Sequence, residues 1–292
     1  MFCNICPRKC NVDRSVNKGI CSVGEELLVS RAALHFYEEP CISGESGSGT
    51  VFFSGCNLKC VYCQNKDISR GYGKKITVNR LSEIFLELQE KGANNINLVT
   101  PDHYAIKIKE AINLSRKKGL KLPIVYNTSG YCDLKMLEKL KDEIDIFLTD
   151  FKYISSELSK KYSSASDYPI VAKAALKQMF NQVGKPQFYE NGMMKKGVIV
   201  RHLVLPGYID NSKKVIKYVY ENYKDNVILS IMNQFTPMNL EKYPEINRKV
   251  TDEEYNEIID YAVDLGVENA FVQEGDTADE SFIPDFSKFY GV

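Results

Sequence analysis

The chain has 292 residues, with 38 Lys plus Arg against 38 Asp plus Glu, and 44% of its residues are hydrophobic. That balance provides no general basic field for nucleic acid and no acidic tail, and the length suits one large α/β domain with a small appendage. No apolar run approaches the roughly 20 residues that cross a bilayer, and the opening MFCNICPRKC has no apolar h-region; a cytoplasmic protein with neither membrane nor nucleic acid as partner is expected.

In chain order, residues 1–24 are rich in cysteine and lack apolar periodicity, and ISGESGSGT (42–50) is small and flexible. These place a boundary near residue 49, with an N-terminal extension over 1–49 and the main domain over 50–292. Strands are expected at 50–55, 95–100, 123–129, 144–150, 197–205, 227–232 and 270–273, several as continuous apolar runs of the kind found in buried parallel strands. Between them, Leu81, Ile84, Phe85 and Leu88 mark one helix face in 80–91, Thr251 and Glu254 form a capping-box signal, and Gly266 is a stop. The stretch KPQFYENGMMKK (185–196) reads as an exposed excursion. Alternating strands and helices imply a parallel sheet, either doubly wound or a full or partial barrel. No G-x-G-x-x-G follows an early strand, so a dinucleotide fold has no support. In either architecture, functional residues gather where strands end. Those ends carry Cys56, Thr100 to His103, Asn127 to Ser129, Asp150 to Lys152, and Pro206-Gly207.

Nine cysteines in a reducing compartment point to metal ligation rather than disulfides. Cys56, Cys60 and Cys63 have C-x3-C-x2-C spacing and follow the first predicted strand. Three thiolates can hold three corners of an iron–sulfur cubane and leave one iron open for something else. The competing readings are a zinc site completed by His103 or Cys132, and a Cys60/Cys63 redox pair. Cys3, Cys6, Cys10 and Cys21 form a second set whose ligand count is complete. So short a segment needs a metal to fold, either structural zinc or an auxiliary iron–sulfur cluster. Cys41 and Cys132 stand apart as free thiols, and Pro7-Arg8-Lys9 reads as solvated surface.

SGCNLKCVYCQN (54–65) resembles the signature of radical S-adenosylmethionine (radical SAM) enzymes, with Tyr62 as the aromatic residue before the third cysteine. HFYEEPCISG, NINLVTPDHY, PIVYNTSGY, DFKY and VRHLVLPG are similar to blocks of the pyruvate formate-lyase activating enzyme-like branch, so the resemblance covers nearly the whole chain. It implies a partial (β/α)6 barrel of the TIM type, a 4Fe–4S cluster on Cys56, Cys60 and Cys63, and SAM chelating the fourth iron. The implied chemistry is reductive cleavage of SAM to a 5′-deoxyadenosyl radical that abstracts a substrate hydrogen. An electron donor such as flavodoxin or ferredoxin is implied as partner.

By the same resemblance, Tyr62 places the adenine. Thr100-Pro101 stands where many relatives have Gly-Gly-Glu, so Thr100 or Asp102 takes the methionyl amine. Asp150 and Lys152 lie at the SAM and cation site, and Arg201 suits a carboxylate through its planar fork. Asn127 replaces an aspartate near a monovalent cation. Each has a plainer alternative: Asp150 with Lys152 as a local ion pair, Arg201 as the structural partner of a barrel carboxylate, and His35 and His103 as hydrogen-bonding residues. His202 alternates away from Arg201. HFYEEP reads as packing. The substrate is either the glycine of a glycyl radical enzyme or another protein, peptide or small molecule. The reading from a different class is a non-catalytic scaffold with zinc in both cysteine sets.

Overall fold

The computed structural model describes residues 2–273, 284–286 and 288–292. Among these residues, ten strands share one sheet: β1 (Leu27–His35), β2 (Ser48–Phe53), β3 (Lys74–Ile76), β4 (Ile96–Val99), β5 (Ile124–Thr128), β6 (Ile146–Asp150), β7 (Gln187–Phe188), β8 (Met194–Leu203), β9 (Ile228–Met232) and β10 (Ala270–Val272). All seven predicted strands are present. They are mutually parallel and ordered β2-β4-β5-β6-β8-β9-β10, each joined to the next through helix. This order never reverses, so there is no switch point of the doubly wound kind, and the sheet winds as a six-crossover partial barrel.

Three strands are additional to the sequence expectation. β1 pairs antiparallel with β2 and with β3, so the sheet takes in Leu27–His35, upstream of residue 49. A bulge between Val29 and Arg31 breaks the period-two alternation that would have marked β1. β7 pairs with the start of β8, so the 185–196 excursion is a short, exposed hairpin.

Strand register sets up the interior. Asn97, Val125, Ile146 and Ile199 project to the same side as Asn127, Leu148, Asp150 and Arg201. Low in the barrel this side is apolar: Val125, Ile146, Leu148, Ile199 and Ile228 cluster with Cys41 and Ile42. The last two come from a one-turn helix, Pro40–Ser43, which plugs the barrel floor. Asn95 Nδ2 fastens this plug by donating to the Ile42 carbonyl at 2.7 Å. Helices cover the opposite face of the sheet; in Val78–Glu90 the buried residues are Leu81, Ser82, Ile84, Phe85 and Leu88, the predicted stripe with one serine added.

The capping box forms as expected. Thr251 Oγ1 accepts from the Glu254 amide (3.3 Å), and Glu254 Oε2 accepts from the Thr251 amide (3.0 Å), at the start of helix Asp252–Asp264. Thr251→Ala should cost about 1 kcal/mol of stability, read as a lower urea midpoint at unchanged slope.

Candidate active site

The loop after β2 is held by its surroundings more than by itself. Gly55 has φ +89°, and a Cβ there would lie 2.7 Å from the Cys21 carbonyl oxygen, so only glycine allows the approach. The Val61 amide donates to Tyr162 O at 2.9 Å, and Asn57 Nδ2 donates to Tyr131 O at 2.8 Å. Cys60 Sγ and Ser163 Oγ share a hydrogen bond at 2.9 Å. Ser163 Oγ also meets Tyr153 O–H at 2.9 Å, and Tyr153 meets Tyr62 O–H at 2.5 Å. This chain fixes Tyr62, whose ring lies 5.7 Å from that of Phe235.

Cys56, Cys60 and Cys63 line one cavity of about 420 Å³ together with Tyr62, Thr100, Asn127, Asp150, Lys152 and Arg201, so the structure brings the cysteine loop and four of the strand ends to one place. A charged network forms its wall. Arg201 donates from Nε to Asp150 Oδ1 (3.0 Å), from Nη1 to Glu38 Oε2 (3.1 Å) and from Nη2 to Asn127 Oδ1 (2.6 Å). Lys152 Nζ donates to Asp150 Oδ2 at 2.6 Å. Both plainer alternatives are therefore realised within the cavity wall: Asp150 and Lys152 are ion-paired, and Arg201 serves two barrel carboxylates. Burial raises the Asp150 carboxyl, but the Lys152 and Arg201 charges outweigh it and hold the group below the usual carboxylate range.

Glu38 is the residue that sequence reasoning missed. Its Oε1 accepts from Asn97 Nδ2 (2.9 Å) and Asn127 Nδ2 (3.1 Å), beside the Arg201 contact. It arrives from the segment between β1 and the floor helix, inside HFYEEP, and the adjacent pair of carboxylates before Pro40 was its one signal. Glu39 enters beside it, and burial pushes its carboxyl up despite Arg201.

Other positions resolve differently from one another. Thr100 has φ +58° and lines the cavity. Asp102 does not reach it: Thr128 Oγ1 and Cys132 Sγ donate to its carboxylate at 2.8 and 2.9 Å, which turns it into the buried layer. His103 Nε2 bonds the Ser54 carbonyl at 2.8 Å, and His35 packs edge-on against Tyr37 and Phe52. His202 lies on the face opposite Arg201, between Phe151 O (2.8 Å) and Ser212 Oγ (2.9 Å), and burial lowers its pKa to about 4. Arg8 is not solvated surface: its guanidinium donates to the carbonyls of Asn57, Ser163 and Ser164.

The loop fits an iron–sulfur ligand set. All nine cysteines are free. Burial, then the neighbouring Cys60 and Cys63, push the Cys56 thiol up, and a bound metal cation would favour its thiolate. Among the described residues, no three His, Cys, Asp or Glu side chains close on a single ion; one tetrahedral zinc would need its sulfurs about 3.8 Å apart, whereas a cubane spans more. The cavity suits a small zwitterion, with cationic Lys152 and Arg201 facing carboxylates of Glu38 and Asp150.

A singly wound partial barrel with three thiols behind its first parallel strand is an arrangement suited to a cysteine-ligated cluster. A profile of the Radical SAM superfamily matches residues 50–232. The chain belongs to that superfamily, and membership implies a 4Fe–4S cluster and SAM. It is 30% identical to an uncharacterised protein of Methanocaldococcus jannaschii, over 89% of this chain and 74% of that one. It is 27% identical to the pyruvate formate-lyase-activating enzyme of Streptococcus mutans, over 57% of this chain and 62% of the relative. Among solved structures, a radical SAM methyltransferase from Sphaerobacter thermophilus superposes with a TM-score of 0.54 at 15% identity, over 77% of this chain and 66% of that one. Streptococcus suis SuiB superposes at 0.52 and 14%, over 79% of this chain; the match spans 49% of the SuiB chain, about half its length. Among the described residues no helix is long and apolar enough to cross a membrane.

Proposed function

We propose that the protein is a hydrogen-abstracting radical SAM enzyme whose cluster sits on Cys56, Cys60 and Cys63, and whose substrate is a backbone glycine of a partner glycyl radical enzyme. The observation that carries the catalytic reading is the meeting of three thiols and a buried four-charge network in one cavity. When bound, the cluster and SAM supply a single electron and a 5′-deoxyadenosyl radical. The chain's own part is binding, orientation and exclusion of water. Arg201 and Lys152 offer cations to the methionyl carboxylate; Glu38, Asp150 and Thr100 offer oxygens to the amine. Tyr62, held by Tyr153 and Phe235, would place the adenine. Lys152 and Arg201 both pair with Asp150, so a monovalent cation beside Asn127 would compete with two resident charges.

The glycine substrate rests on similarity to the activating enzymes of Streptococcus mutans and Clostridium pasteurianum, the latter 23% identical over 70% of this chain. Anaerobically reconstituted protein should be brown and, reduced by dithionite, should form 5′-deoxyadenosine from SAM. Addition of a glycyl radical enzyme should then yield a glycyl doublet in electron paramagnetic resonance (EPR) spectra. A colourless protein holding only zinc would sink the enzyme reading and leave the scaffold one. Cleavage of SAM without a doublet would redirect the search to other peptides; SuiB, in one solved structure, is bound to a precursor peptide.

A further inference from the structure

The N-terminal cysteine module is bonded directly to the three-cysteine loop. The Cys56 amide donates to the Cys21 carbonyl at 3.2 Å, and Gly55 packs on that same oxygen. Lys59 Nζ donates to Ser22 Oγ at 2.8 Å. Arg8, one residue beyond Cys6-Pro7, binds the carbonyls of Asn57 in the loop and of Ser163, whose hydroxyl touches Cys60.

Two sulfurs of the module converge on Gly19, where a Cβ would lie 3.4 Å from Cys21 Sγ and 3.5 Å from Cys10 Sγ. The Ile20 amide donates to Cys10 Sγ at 3.3 Å. Arg14 Nη1 donates to the His103 carbonyl at 2.8 Å and its guanidinium lies 5.7 Å over the Tyr104 ring, but its Nε and Nη2 are buried with no hydrogen-bond partner. Buried guanidinium donors that lack acceptors, within a module of four thiols, call for anionic acceptors. A zinc tetrathiolate offers only its four thiolates, whereas an iron–sulfur cube adds bridging sulfides, and hydrogen bonds to its sulfurs tune its potential.

We propose that Cys3, Cys6, Cys10 and Cys21 hold a second 4Fe–4S cluster that relays electrons to the loop cluster across the Cys21–Cys56 hydrogen bond. The inference rests on the radical SAM reading of that loop. Each passage moves one electron and no proton. A reduced flavodoxin- or ferredoxin-type donor is oxidised by one electron, and the N-terminal cluster goes from 2+ to 1+. It returns to 2+ as the loop cluster goes from 2+ to 1+. Zinc has no redox chemistry and cannot serve. Burial gives the path a direction. Cys10 is half-buried, between exposed Lys9 and Asn11, and faces the donor; Cys3, Cys6 and Cys21 are buried. The cavity wall includes Cys56, Cys60 and Cys63 but none of the four, so electrons enter away from SAM and substrate.

Iron and sulfide analysis of the anaerobically reconstituted full chain tests the cluster. Wild type should carry about eight irons, and C56A/C60A/C63A about four, EPR-active after dithionite reduction. Zinc without iron in that triple variant overturns the proposal. Loss of all iron from C3A/C6A/C10A/C21A, with iron retained in the triple variant, would instead undo the reading of the loop. Should the variants misfold, the wild type still decides: SAM should alter one of two reduced EPR signals, and a single signal accounting for four irons refutes a second cluster. Arg14→Gln should shift the midpoint potential of the SAM-insensitive signal downward and leave the other in place; an unmoved potential counts against a cluster beside Arg14. For the relay, reduction of the loop cluster by flavodoxin hydroquinone should slow at least tenfold in C3A/C6A/C10A/C21A, while dithionite still reduces it. Equal rates with flavodoxin would end the relay.

Discussion

Cys60→Ala should bring 5′-deoxyadenosine formation from SAM below detection and remove about half the iron of the reconstituted protein. The loss is total because, among the described residues, the nearest alternative donors are already engaged. The hydroxyl nearest Cys60 Sγ, Ser163 Oγ, is already engaged with Tyr153. His103 and Cys132, the sequence's candidates for a fourth ligand, are committed elsewhere, to Ser54 O and to the Asp102 carboxylate. The comparison variant is Ser163→Ala, which removes a hydrogen bond to the sulfur and keeps the ligand. Outer-shell losses of that kind typically cost about 10–100-fold in metal affinity or activity, so Ser163→Ala should retain measurable turnover at reduced iron occupancy. Iron counts and chromatography of the cleavage product separate the two. Cys60→Ala protein that still cleaves SAM would remove Cys60 from the ligand set.

Much of this site was legible because its residues lie at strand ends, and strand ends can be read from apolar runs. Asp150, Arg201 and Asn127 follow from β6, β8 and β5, whose inner faces alternate with fixed period and whose register then sets them side by side. The cysteine loop was legible from spacing alone. What stayed hidden came from long-range placement. Glu38 belongs to no parallel strand; it enters the barrel on a segment that the small residues after it had assigned to an extension. Asp102 sits two residues beyond Thr100 on the same turn, yet Thr128 and Cys132 capture it. Arg8 looked like surface because its three carbonyl acceptors are 49 to 156 residues away in the chain. Polar partners separated so widely leave no local pattern, whereas periodicity and ligand spacing do.

Arg201→Leu should destabilise the apo protein by about 3–5 kcal/mol at neutral pH, the range found when one partner of a buried ion pair is removed. Arg201 is the hub on which Glu38, Asp150 and Asn127 converge, and its side chain is only 15% exposed. With it gone, Lys152 still faces Asp150, but Glu38 keeps only amide donors and Glu39 loses the charge that opposes its burial. The deficit should depend on pH in a defined direction. In the wild type, the depressed Asp150 carboxyl stabilises the fold above the unfolded carboxylate range, about 4, and that contribution is lost as pH falls through its folded value. Glu39 is opposite in sign: its carboxyl is raised, so its charged form is penalised at neutral pH and relieved as pH falls through the raised value. Loss of Arg201 lifts both groups, enlarging the neutral-pH penalty and diminishing the stabilisation that acid would otherwise remove. The gap in melting temperature between wild type and variant should therefore be widest near pH 8 and narrow toward pH 5. Arg201→Lys should fall between them, since it restores the charge without the fork that spans Asp150, Glu38 and Asn127. Thermal melts of the metal-free proteins across that range measure both effects. A gap that widens on acidification, or a leucine variant that melts with the wild type at pH 8, would show that the buried carboxylates do not depend on this guanidinium.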